Sequence, residues 1–167
     1  HRTCTAMAYS ETHMRLVILL LLAALGAFMV YVRLAPMDLS KVHLPSYPQG
    51  PGDYPETGGF KAVRVLTVSP EEALAAVKEV AEATIRTRLV AGSVDEGLMT
   101  FETRSRVFGF PDYTTVSILS ADAGPAQQDA PLLMIHARLR FGVDDLGVNQ
   151  RRVEGWLDAL GAVVTAP

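Results

Sequence analysis

A chain of 167 residues with a single cysteine has room for one compact domain besides any terminal segment, and one thiol forms neither an internal disulfide nor a cysteine-based metal site. The formal net charge is −3, and residues 36–167 carry seventeen acidic against twelve basic side chains, a balance of −5. That balance argues against bulk nucleic-acid binding, which needs a clustered positive field.

Residues 1–13 (HRTCTAMAYSETH) have no periodicity and no apolar patch, and read as an unstructured extension, with Met14-Arg15 as a natural start. Leu16–Val32 follows without a charge. As a helix it is about 25 Å long at ~1.5 Å per residue, the short end of what spans a bilayer core of roughly 30 Å. Residues 14–35 therefore read as a transmembrane signal anchor. A cleaved signal is the alternative, but Tyr31, Val32 and Arg33 do not suit the small-residue positions of a cleavage site, and no cysteine follows for a lipoprotein signal. With a short N-terminal tail the expected topology is a single pass through the inner membrane, with a periplasmic C-terminal domain.

Residues 36–60 hold five of the ten prolines and four glycines, and read as a semi-extended linker. The Pro45-Ser46-Tyr47-Pro48 match to P-x-x-P is too short to outweigh a spacer role. The globular domain is expected over residues 61–163. Ala62–Val68 reads as a strand. Ser69, Pro70 and Glu72 form a helix start, and Leu74, Val77, Ala81 and Ile85 continue an amphipathic helix to about Thr87. Leu98–Val107, Tyr113–Ser120 and Leu132–Phe141 read as strands of an antiparallel meander, with a loop over Ala121–Pro131. Asp145 caps a second helix over about Leu146–Leu160, whose stripe is Val153, Trp156, Leu157 and Leu160. The fold class is α+β: a small antiparallel sheet in the order strand, helix, three-strand meander, helix, with both helices on one face and one transmembrane helix ahead of it.

Three segments carry a family likeness: Thr103-Arg104-Ser105-Arg106, Phe108-Gly109-Phe110-Pro111-Asp112-Tyr113, and Asp145-Leu146-Gly147-Val148-Asn149 followed by Arg151-Arg152-Val153. On these the chain resembles the family catalogued as domain of unknown function 1499, over roughly residues 61–160. Leu139 and Phe141 depart from the polar stretch that the resemblance implies before Asp144. The family brings no established activity. Its members often look secreted, membrane-anchored or lumenal, in line with the apolar run.

Strand alternation places Met134, His136, Arg138 and Arg140 on one face, with Thr100, Glu102, Arg104 and Arg106, and with Thr115 and Ser117. Arginine suits bidentate carboxylate or phosphate recognition. Arg104, Arg106, Arg138, Arg140 and His136 are therefore the candidate anion-binding residues. The competing reading is a solvated face with Glu102 paired to an arginine. Asp144, Asp145 and Asn149 lack the spacing of a calcium loop and suit helix capping instead. No metal, no cofactor and no catalytic motif is identified; Ser105 or Ser117 with His136 is the nucleophilic arrangement left open. The expectation is a non-enzymatic binding or accessory domain at a membrane, engaging an anionic lipid headgroup, an envelope polymer or a membrane protein partner. The alternative is a hydrolase-like enzyme on envelope or lipid-linked substrates.

Overall fold

A computed structural model describes residues 2–121 and 129–165, so most of the expected Ala121–Pro131 loop lies outside the described residues. The chain divides into two units, His1–Pro36 and Met37–Pro167. The first is one helix, α1 (Arg2–Leu34). Its Glu11–Leu34 stretch is, among the described residues, the one helix long and apolar enough to cross a membrane, and a signal sequence would pass the same test. Residues 2–13 are helical rather than unstructured: once the apolar run nucleates a helix, extending it through Ala, Met and Glu costs little. Pro36 follows directly, and the amide of Ala35 makes the last helical bond to Tyr31.

The second unit is an α+β fold. Its elements are the single turn α2 (Leu39–Val42), β1 (Gly52–Glu56), β2 (Gly59–Val65), α3 (Pro70–Ala83), β3 (Thr87–Ser93), β4 (Leu98–Arg104), β5 (Pro111–Leu119), β6 (Leu132–Leu139) and α4 (Val148–Leu160). The six strands form one antiparallel sheet in the order β1-β2-β6-β5-β4-β3. The β3–β6 meander is sequential, and α3 carries the chain from β2 to the opposite edge.

Two strands lie where the sequence reads as linker or helix. β1 falls inside the expected 36–60 linker, and Pro55 is tolerated there because β1 is an edge strand with no ladder on its outer side. β3 begins at Thr87, where the amphipathic pattern predicts the end of α3. The helix stops at Ala83, where Thr84 turns its hydroxyl back to Val80 O and accepts from Trp156 Nε1 at 2.9 Å. Arg86 then takes φ 61°, which starts the chain back toward the sheet.

The main core lies between the sheet and α3 with α4. Phe60, Ala62, Met99, Phe101, Val116, Leu133, Ile135 and Ala137 face Leu74, Val77, Val153 and Trp156. The Phe101 and Trp156 rings meet edge to face at 5.7 Å, the geometry the ring quadrupoles favour. A buried leucine such as Leu74 contributes about 2–5 kcal/mol relative to alanine in a packed site of this kind.

Candidate functional site

The helix-free face of the sheet is built in rows across the strands. One row runs Lys61, His136, Thr115, Thr100 through the registered pairs of β2, β6, β5 and β4. The next, one step toward the Arg104 end, runs Arg138, Tyr113, Glu102, Arg88. Alternation thus puts Arg138, His136, Arg104 and the threonines together as the sequence predicts. Arg140 lies just past the end of β6 and reaches Tyr113 Oη at 3.2 Å. Arg106 does not join the face, because β4 ends at Arg104 and the chain turns away in the 105–108 loop.

The centre of this face is not solvated. Thr100, Thr115 and Ser117 are buried, and Val63, Leu119, Leu132 and Met134 make a second small apolar cluster beside them. The cover is the segment expected to be a free tether. Val42 O accepts from Arg138 Nη2 at 2.6 Å and from Thr115 Oγ1 at 2.8 Å. His43 Nδ1 bonds Thr100 Oγ1 at 2.9 Å. Ser46 Oγ bonds His136 Nδ1 at 2.6 Å, Gln49 Oε1 accepts from Lys61 Nζ at 2.8 Å, and Gly50 O accepts from Tyr54 Oη at 2.8 Å. Residues 42–50 are a strap laid across the strands, tied at each row position it passes. The proline content that keeps it extended suits it to this role, since buried backbone groups can then be met by side chains of the sheet.

His136 is the chemical centre of the strap. Its Nε2 lies 2.8 Å from Glu56 Oε2, and Arg138 Nη1 lies 3.1 Å from Nδ1. A guanidinium only donates, so Nδ1 accepts and the ring proton sits on Nε2, directed at Glu56. Burial, with Arg138 and Lys61 assisting, lowers the His136 pKa more than Glu56 raises it, so the ring stays neutral. Burial acts to raise the Glu56 carboxyl, but His136 and Lys61 outweigh it and hold that pKa below its ordinary value. The result is a chain of hydroxyl, imidazole and carboxylate from the strap, β6 and β1. Ser46 and Glu56 are the site residues that sequence reading missed. Glu56 sits in no motif and Ser46 only in the short P-x-x-P match, and they lie 80 and 90 residues from His136.

The other end of the face is organised differently. Glu102 is buried and accepts from Arg88 at 3.1 Å and Arg104 at 2.9 Å, the pairing expected of it. Arg104 also donates to Gly109 O, and Ser105 Oγ accepts from the amide of Phe110. The hydroxyl bonded to His136 is that of Ser46, not of Ser105 or Ser117, the arrangement the sequence left open.

On the far side of this end, Asp145 accepts from the amides of Gly147 and Asn149 at 3.0 and 2.7 Å. Its carboxylate thus serves the first turn of α4, but the N-cap is Gly147 rather than the expected Asp145, and the helix starts at Val148 because Leu146 and Gly147 hold φ of 52° and 74°. Arg152 joins Asn149 Oδ1 (2.6 Å) to Asp112 (3.2 Å). Burial raises the Asp112 pKa, an effect that Arg152 only partly offsets. The three segments that carry the family likeness thus converge on one end of the sheet. No group of three His, Cys, Asp or Glu among the described residues is placed to hold a metal ion.

A family model described as Protein of unknown function (DUF1499) matches residues 46–160. Neither the curated proteins nor the solved structures contain a match to the chain.

Proposed function

The chain belongs to the DUF1499 family, and on its site geometry we propose that it is a membrane-anchored, extracytoplasmic binding or accessory domain that engages an anionic ligand at the arginine end of the sheet. The observation that carries this reading is a local excess of cations on an acidic protein. Lys61, Arg88 and Arg138 lie in the two rows and Arg104 and Arg140 just beyond them, answered by the carboxylates of Glu56 and Glu102. The strap occupies Arg138 and His136, and Glu102 and Gly109 O hold Arg104, so the ligand surface is the part beyond them: Arg140, with Arg106 in the adjoining loop. Arginine forks in that position suit phosphate or carboxylate oxygens. The test is binding of fluorescent polyphosphate to the full chain in zwitterionic nanodiscs. A charge-assisted contact is worth about 1.5–3 kcal/mol, so Arg140→Ala with Arg106→Ala weakens binding at least about tenfold. Equal affinity of the variant removes the reading.

A second reading rests on a separate observation, the Ser46–His136–Glu56 chain. A serine hydroxyl on the accepting nitrogen of a neutral imidazole, with a carboxylate on the other nitrogen, is the arrangement that activates a nucleophile. In an esterase step Ser46 Oγ would bond the acyl carbon and pass its proton to His136 Nδ1, which returns it to the departing alkoxide. Water would then release the acid. A fluorophosphonate probe tests this: labelling of Ser46 that is lost in His136→Ala supports a hydrolase, and an unlabelled Ser46 leaves the trio as a strap fastening.

A further inference from the structure

The arginine end of the sheet also carries most of the exposed apolar side chains of the globular unit. Val107 and Phe108 stand 70% and 45% exposed on the β4–β5 loop. Val143 and Leu146 stand 80% and 82% exposed on the loop before α4. The two loops are one surface, because Phe108 stacks on Phe110 at 5.5 Å and Phe110 meets Phe141 at 6.3 Å.

Leu146 is the most informative of these residues. It sits at φ 52°, a left-handed conformation that a side chain with a β-carbon disfavours. The turn is held by carboxylates: Asp144 accepts from the Leu146 amide at 3.0 Å, and Asp145 from the amides of Gly147 and Asn149. The fold thus spends backbone strain and two aspartates to fix a leucine that adds nothing to the core. Strain held by surrounding structure marks positions with a role outside packing. The same bonds draw Asp145 partly into the loop and leave Asp144 exposed beside it, while Arg86, Arg106 and Arg151 stand exposed.

We infer that this end docks on the interfacial layer of an anionic phospholipid bilayer, the apolar side chains entering the acyl boundary and the arginines meeting phosphates. Apolar side chains on separate turns with arginines between them are what a fluid charged interface accepts, since it needs no shape match. The chain itself supplies the membrane-competent helix Glu11–Leu34. The strap shortens the leash. Val42, its first fixed point, is tied to Arg138, one residue before β6 ends at Leu139. Only the residues between Leu34 and Val42 are left to span, at most about 28 Å when fully extended. The inference rests on the anchored, anion-binding reading above and names the anion as a lipid surface.

The test uses the full chain in nanodiscs, with Cys4→Ser and a single nitroxide at Leu146→Cys, or at Asp95→Cys in the β3–β4 turn at the opposite end. In discs containing phosphatidylglycerol, the label at 146 should be shielded several-fold from a water-soluble nickel quencher, yet open to oxygen. The label at 95 should stay open to the quencher. Arg106→Glu with Arg151→Glu should abolish the shielding. Equal quencher access at the two positions overturns the inference, and so does shielding from both reagents, which marks a protein contact. Val143→Ser with Val107→Ser should remove lipid contact while polyphosphate still binds. Loss of polyphosphate binding with lipid contact intact would strike the ligand reading alone.

Discussion

At the scale of single residues, His136 decides how the strap responds to pH. Its folded pKa lies below the ordinary 6.5, chiefly through burial. In the unfolded chain the ring takes a proton below about pH 6.5, while the folded ring resists it. Stability is therefore complete above that value and is lost as pH falls, by at most about 1.4 kcal/mol per pH unit, until the folded ring also protonates. Glu56 acts at lower pH, since its lowered pKa matters only as pH falls below its ordinary 4.5. Between roughly pH 7.5 and 5.5 the midpoint of thermal unfolding should thus drop, and drop less in His136→Gln. Trp156, buried against Phe101, supplies the fluorescence readout. Equal drops in the two proteins would mean that His136 is not held neutral. The face that carries His136 was legible from alternation, as were Arg104, Arg138 and Glu102. Its partners were not: Ser46 and Glu56 meet it only because the strap and β1 are folded onto β6, and no local pattern encodes that.

At the scale of elements, what could be read was what has a local cause. Ser69 caps α3 through the amide of Glu72, Pro70 occupies its first turn, and the i, i+3, i+4 stripe marks its buried side. The three meander strands were legible because their alternation is clean. β3 was not. It carries a bulge between Leu89 and Ala91, and Gly92 at φ 81° lies so close to Leu98 O that a β-carbon would stand 1.9 Å from it. A bulge shifts the two-residue period, and the strand then loses its signal. β1 was hidden by Pro55, which composition reads as linker and topology places on an edge. The strap was hidden for a related reason. Proline and glycine content shows that a segment will not be helix or central strand, yet says nothing about whether side chains elsewhere will hold it. Here Lys61, Thr100, Thr115, His136 and Arg138 do so. The consequence for the candidate site is direct: a tether expected to leave the arginine face open instead divides it into a covered centre and an open end.

At the scale of the whole molecule, the proposal is that a membrane-competent helix anchors a domain whose open arginine end meets an anionic partner. Sequence reading reached the α+β class, the antiparallel meander and the family, because the helix stripes, strand alternation and the Asp145–Asn149 motif are all local. The strand count and the sheet order depend on pairing across the chain and were not available to it. The claim on which the rest stands is that the globular unit lies outside the cytoplasm on an uncleaved anchor. Alkaline phosphatase fused after Pro167 and expressed in a bacterial host tests it most directly. The account predicts an active enzyme that stays with the membrane fraction at full length. A silent phosphatase, with an active cytoplasmic reporter at the same junction, would contradict it.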